Sequence, residues 1–166
     1  MRLSLLGILR AGYVLGAALV MTTLLPRLGV PAPFVPDLVL IGVVASAVLR
    51  GPLHGALVGI AAGWVLELVP PVGAPLGLVA VTLMLAGAVA GAFRRTSAGS
   101  LTRPVAALGA ASVVVLAGRA ASAVAAEGAV DPVAAGTTLA ATLVVGVVVV
   151  PAMLAVDRAL VRRRLG

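Results

Sequence analysis

Chemistry in this chain would have to come from five carboxylates, one histidine and the hydroxyls of Ser, Thr and Tyr, because it contains no cysteine and no lysine. Without Cys there is no disulfide, no thiolate nucleophile and no Cys-ligated zinc or iron–sulfur centre. His54 has neither a second histidine nor a nearby carboxylate to complete a metal site, so no metal and no cofactor is expected. A hydroxyl nucleophile needs a base; of Ser46, Ser112 and Ser122 only Ser46 falls at a depth His54 could share, and no triad emerges. Three charged groups stand in or beside apolar runs, where an ion costs about 2.5–3.5 kcal/mol at a membrane helix centre and less near its ends. Asp37 falls in the first turn of the second run, where the positive end of a helix dipole favours a carboxylate. Glu67 lies one short turn before Pro70-Pro71, and Arg119 well inside the fifth run. At about 1.5 Å per residue from Pro104, Arg119 reaches a depth from which it either pairs with Glu67, Asp37 or Glu127 or snorkels to the headgroups. Arg50, at the Arg50-Gly51-Pro52 corner, completes the set of candidate polar residues.

These groups must be placed by helices that live in lipid. Of 166 residues, 62% are hydrophobic and 10% charged, and the mean hydropathy is +1.25, far above what a water-soluble globule carries. A spanning helix takes about 20 apolar residues, so the fold class expected is all-α, a single polytopic domain of about six transmembrane helices. Prolines and glycines divide residues 1–166 into runs at 7–25, 34–49, 53–69, 76–93, 104–126 and 132–156. Pro36, Pro104 and Pro132 stand in first turns, where a missing N–H costs nothing. The first run resembles a secretory signal in length, but Arg10 interrupts it and no small-x-small cleavage site follows, so it is read as a retained helix.

All twelve basic residues are Arg, and they are asymmetrically placed. Alternate loops hold Arg2, Arg10, Arg50, Arg94, Arg95, Arg103, Arg158 and Arg162 to Arg164, while the opposite loops hold Arg27 with Glu127 and Asp131. Cytoplasmic loops collect positive charge, so six spans with both termini cytoplasmic follow, and five or seven spans would split the basic loops between the two sides. The net charge of +7 thus marks helix flanks, and with no soluble face to carry a basic patch no nucleic acid is expected as a partner. Heavy Ala, Val, Leu, Gly and Arg usage without Lys is the composition of a GC-rich bacterial genome.

Gly51, Gly55, Gly59 and Gly63 recur every fourth position, a ladder that lets helix backbones approach closely; Gly12 with Gly16 and Gly87 with Gly91 repeat the spacing. The third helix is therefore expected at the centre of the bundle, its ladder serving either internal packing or the docking of a partner's transmembrane helix.

The stretch Pro36-Asp37-Leu38-Val39-Leu40, then Leu49-Arg50-Gly51-Pro52-Leu53-His54-Gly55-Ala56-Leu57-Val58-Gly59 and Gly63-Trp64-Val65-Leu66-Glu67-Leu68, with Leu76-Gly77-Leu78 after the proline-rich connector, resembles the rod shape-determining protein MreD family. The match is strongest over residues 36–91; elsewhere it covers only the span layout and the basic tail. The acidic position at Glu67 is more often Asp in that family. The resemblance implies a non-enzymatic component of the cell-wall elongation machinery in the bacterial cytoplasmic membrane. The partners it implies are MreC and, through it, the synthase complex of glycan polymerase and class B penicillin-binding protein, with membrane lipid around them. MreD proteins also look in fold like the substrate-binding components of energy-coupling-factor vitamin transporters, which gives a second reading with a small-molecule pocket. Flat vitamins are gripped by aromatic and polar groups, and of Tyr13, Phe34, Trp64 and Phe93 only Phe34 lies near the external face. A lipid transferase or rhomboid-like hydrolase would need paired Asp residues or Ser and His at one depth, which the sequence lacks.

Overall fold

The computed structural model describes residues 5–68, 76–94, 102–125, 128 and 131–164, which form six helices and, among these residues, no strand. Helix α1 covers Leu5–Leu19 and continues through a π turn, Val20–Leu24, into Leu25–Arg27. The widened turn directly precedes Pro26, whose ring has no N–H and crowds the carbonyl four residues back, so the helix opens there. A single 3-10 turn, Ala32–Phe34, leads to α2, Leu38–Arg50. Then follow α3 (Pro52–Leu68), α4 (Leu78–Ala92), α5 (Thr102–Ala125) and α6 (Pro132–Arg164).

Among the described residues, three segments are long and apolar enough to cross a membrane: Ala32–Arg50, Thr102–Val124 and Pro132–Val156. The other apolar helices, Gly12–Leu24, Pro52–Leu68 and Leu78–Ala92, are shorter. Their outward faces are nonetheless greasy. Leu53, Leu57, Trp64 and Leu68 on α3 are 59–80% exposed, and Val113, Val144 and Val148 on α5 and α6 are 61–71% exposed. Asp37, Ser46, Ser112 and Thr142 are buried. Apolar outside with polar groups inside is the distribution of a protein whose solvent is hydrocarbon.

The centre of the bundle is α2, not α3. Every residue from Val39 to Val48 is buried, and α2 packs against each of the other five helices. Helix α3 buries only Gly55, Gly59, Ala62 and Gly63, one narrow stripe. Helix α2 is buried because neighbours cover it on every side, Ser46 included, and not because it is more apolar than α3 or α4. The glycine ladder does bring a neighbour close, but it supplies close approach on one side only.

That neighbour is α4. A Cβ on Gly55 would meet the Gly87 carbonyl and one on Gly59 the Leu83 carbonyl; one on Gly63 would meet the Ala80 backbone and one on Gly91 the backbone of Gly51 and Pro52. The two helices therefore touch backbone to backbone along their length. The turn joining α2 to α3 is a single residue, Gly51, at φ +100°, a region closed to side chains with a Cβ. Gly12 and Gly16 have open space where a Cβ would stand, so that pair makes no close helix contact.

Candidate functional site

Polar side chains from α5 and α6 converge on the N-terminus of α2, with α1 close by. Asp37 is not in the first turn but is the N-cap itself. Its Oδ1 accepts the Leu40 N–H at 3.0 Å, and Pro36 stays outside the helix. An Asp side chain at the cap satisfies a first-turn donor better than one more helical residue would, and this shifts the start by several residues from the apolar run. The Asp37 backbone N–H donates to Thr142 Oγ1 at 2.9 Å, and Thr142 donates to the Thr138 carbonyl at 2.8 Å. Thr138 in turn donates to the Pro33 carbonyl at 3.0 Å, which fixes the 3-10 turn against α6. From α1, the Tyr13 hydroxyl donates to the Leu38 carbonyl at 3.2 Å while its ring covers Gly42.

Arg119 completes the cluster. Its guanidinium donates to Asp37 Oδ2 at 3.2 Å, with the Asp side chain 9% and the Arg side chain 49% exposed. Of the pairings open to Arg119, the structure places it on Asp37. Glu67 has other partners, and Glu127 lies outside the described residues. On α5 the buried face runs Leu108, Ala111, Ser112, Val115 and ends at Arg119, the helical spacing that brings Ser112 and Arg119 to one side. Ser112 is 4% exposed and its Oγ has no hydrogen-bond partner. It lines a cavity of about 20 Å³ together with Asp37, Leu40, Arg119, Thr138 and Thr142. A wider, open cleft of about 380 Å³ lies on another face of α6, lined by Phe34, Pro36, Thr137 and Val144 among others.

Glu67 does a different job at a different place. Its carboxylate accepts the Gly77 N–H at 3.0 Å, the Val79 N–H at 2.9 Å and the Ala80 N–H at 3.3 Å, capping α4 from α3. The first-turn donors of α4 would otherwise be unmet, and a carboxylate is the strongest acceptor for them. Arg50 ends α2 and is exposed, and the Arg94 side chain lies against Gly51, so these two arginines share the end of the bundle opposite Asp37.

What this arrangement can do is hold helices together. The carboxylate of Asp37 is engaged by a backbone N–H and a guanidinium, no histidine lines the cavity, and the Asp37–Arg119 pair is locally neutral. Among the described residues no three His, Asp or Glu side chains gather where a metal could sit. Sequence reasoning did not single out Thr138 and Thr142. Their signal was there: Thr138, Thr142, Gly146, Val150 and Leu154 stand four apart, one face of α6, on which the last two are buried and Gly146 receives Leu108. No protein-family model, no curated protein and no solved structure matches the chain.

Proposed function

We propose that the chain is a non-enzymatic scaffold of the cell-wall elongation machinery, spanning the bacterial cytoplasmic membrane six times with both termini in the cytoplasm. In this reading it binds MreC and so helps to organise the glycan polymerase and class B penicillin-binding protein. The observation that carries the proposal is how the residues behind the MreD resemblance are used. Residues 36–91 contain α2, α3 and α4, and within them Asp37 and Glu67 cap helices while Gly55, Gly59, Gly63, Gly87 and Gly91 close the α3–α4 contact. In their described part these residues serve packing and capping between helices, which is the work a scaffold asks of them. The placement of Arg50 and Arg94 at one end and Asp37 at the other supports the orientation, since the basic end faces the cytoplasm.

The vitamin-binding reading draws on the cleft beside Phe34, at the end where a ligand was expected. That cleft, about 380 Å³, has the size of a small-molecule site, but it is open, and Phe34 and Thr137 are the only aromatic and polar side chains among its lining residues. It thus offers few of the aromatic and polar groups that grip a flat vitamin, and the cavity beside Asp37, at about 20 Å³, is far below that size. Both features favour the scaffold. The test is detergent co-purification of the tagged chain from its native membranes, with mass spectrometry of co-eluting proteins and of small molecules released on denaturation. MreC or cell-wall synthases are the expected companions. An ATPase-coupled transmembrane subunit, or a stoichiometric vitamin, would overturn the proposal.

A further inference from the structure

The Ser112 hydroxyl is the one buried side-chain polar atom left without a partner among the described residues, and it faces the cavity beside the Asp37–Arg119 pair. A hydroxyl buried in apolar surroundings without a hydrogen bond is costly, and in native proteins such groups are met by protein or by ordered water. In this fold no protein group meets Ser112 Oγ, not even the carbonyl one turn back, which leaves water. The recess is open on the side of the half-exposed Arg119, and its inner part, at about 20 Å³, has room for the one water that needs roughly 10–15 Å³.

Its electrostatics point the same way. A carboxylate and a guanidinium stand side by side on the wall, so neither a cation nor an anion is favoured. Each carboxylate oxygen has a second lone pair beyond the Leu40 and Arg119 N–H groups, and Thr138 and Thr142 add hydroxyl oxygens to the lining. The occupant that suits such a wall is small, neutral and able both to donate and to accept. We propose that the inner end of this recess is a single-water site, in which one ordered water links Ser112 on α5 to the Asp37–Arg119 pair and so ties α5 to the capped start of α2 next to α6. A water held by three polar partners is as integral to the packing as a side chain.

The proposal fixes the sign of two substitutions. In a dry cavity, Ser112→Ala removes an unmet hydroxyl and Ser112→Val also fills space, so both would raise the thermal midpoint of the detergent-solubilised protein. With a bound water, Ser112→Ala deletes one of its partners and Ser112→Val expels it, leaving the groups it served unmet. Both midpoints then fall, by about 2–4 °C. The water also couples Ser112 to Asp37 without direct contact, so Ser112→Ala with Asp37→Asn falls by clearly less than the two single shifts combined. A raised or unchanged midpoint for Ser112→Ala, or additive shifts, overturns the proposal. Should Ser112→Val fail to fold, Ser112→Ala still decides, together with a nanodisc structure of the full chain at a resolution that shows waters. Density within hydrogen-bond distance of Ser112 Oγ is expected there, and its absence overturns the site.

Discussion

The bundle has two contrasting seams. Between α3 and α4 the contact is mainly steric: glycines bring backbone onto backbone from Gly55 to Gly63, and the Glu67 carboxylate joins the two helices at the end of that ladder. Around the start of α2 the contact is polar, built from Asp37, Arg119, Thr142, Thr138 and Tyr13 on four helices. In hydrocarbon, helix association has no hydrophobic drive and depends on van der Waals fit and on hydrogen bonds, and this chain uses one device on each side of its central helix. The steric seam depends on having no side chain at all, so almost any substitution damages it. The polar seam depends on several modest bonds and loses strength in steps.

The sharpest way to break the contrast is at Gly59. A Cβ there would land on the Leu83 carbonyl and the Met84 backbone nitrogen, neither of which can rotate away. Gly59→Ala is expected to cost about 3 kcal/mol or more, and Gly59→Leu to prevent accumulation of folded protein. Yield of monodisperse protein by size-exclusion chromatography reads this directly. Wild-type yields of Gly59→Leu would show that α3 and α4 do not meet as described.

Next in size is the polar seam. Asp37→Ala removes the α2 cap, the ion pair and an acceptor beside a buried hydroxyl, and is expected to cost about 2–3 kcal/mol. Arg119→Ala should cost less, about 1 kcal/mol, since its side chain is 49% exposed and the pair is correspondingly screened. Thermal midpoints of both single variants and the double variant form a cycle, in which the double should fall short of the sum. Additivity between Asp37 and Arg119 would break the seam as drawn.

Much of this was legible in the sequence, and the failures are instructive. Helix ends marked by Pro or Gly signals, such as Gly51 after α2 and Pro132 opening α6, are visible because those residues remove specific backbone options. The start of α2 was set several residues early because the apolar run includes Phe34 and Val35, while the helix waits for the Asp37 cap. The close contact of the third helix was legible, but its partner and its off-centre position were not. Spacing reports that a helix can be approached, whereas which of several equally apolar helices is covered on all sides depends on the tertiary arrangement. Arg119 could be placed by depth but not by direction, so three acids were open to it. Thr138 and Thr142 escaped notice because hydroxyls in apolar helices usually bond their own i−4 carbonyl, as both do; only the fold shows that Thr142 also accepts the Asp37 N–H at the start of α2 and that Thr138 shares its proton with the Pro33 carbonyl of the 3-10 turn.

Glu67 sharpens the comparison, since it is a carboxylate at the steric seam. Glu67→Gln keeps an oxygen for the Gly77 and Val79 N–H groups but loses the charge, and is expected to cost about 1 kcal/mol. Because Glu67 and Arg119 share no contact, Glu67→Gln with Arg119→Ala should be additive. Coupling between them in the same thermal assay would mean that Arg119 leaves Asp37 for Glu67 in the bilayer.

The smallest effect tests whether glycine spacing alone means contact. Gly12-x-x-x-Gly16 on α1 has the same four-residue repeat as the α3 ladder, yet neither glycine has a heavy atom within 4 Å of where a Cβ would stand. Gly16→Ala should therefore leave the fold intact and, by the helix preference of alanine, raise stability by about 0.5–1 kcal/mol. Gly59→Ala, the same chemical change on the same spacing, should do the opposite and by more. If Gly16→Ala instead lowers the yield of partner complexes while leaving the isolated protein as stable as the wild type, the α1 pair is a docking surface. The distinction between seams would then extend to a third kind, completed only by another chain.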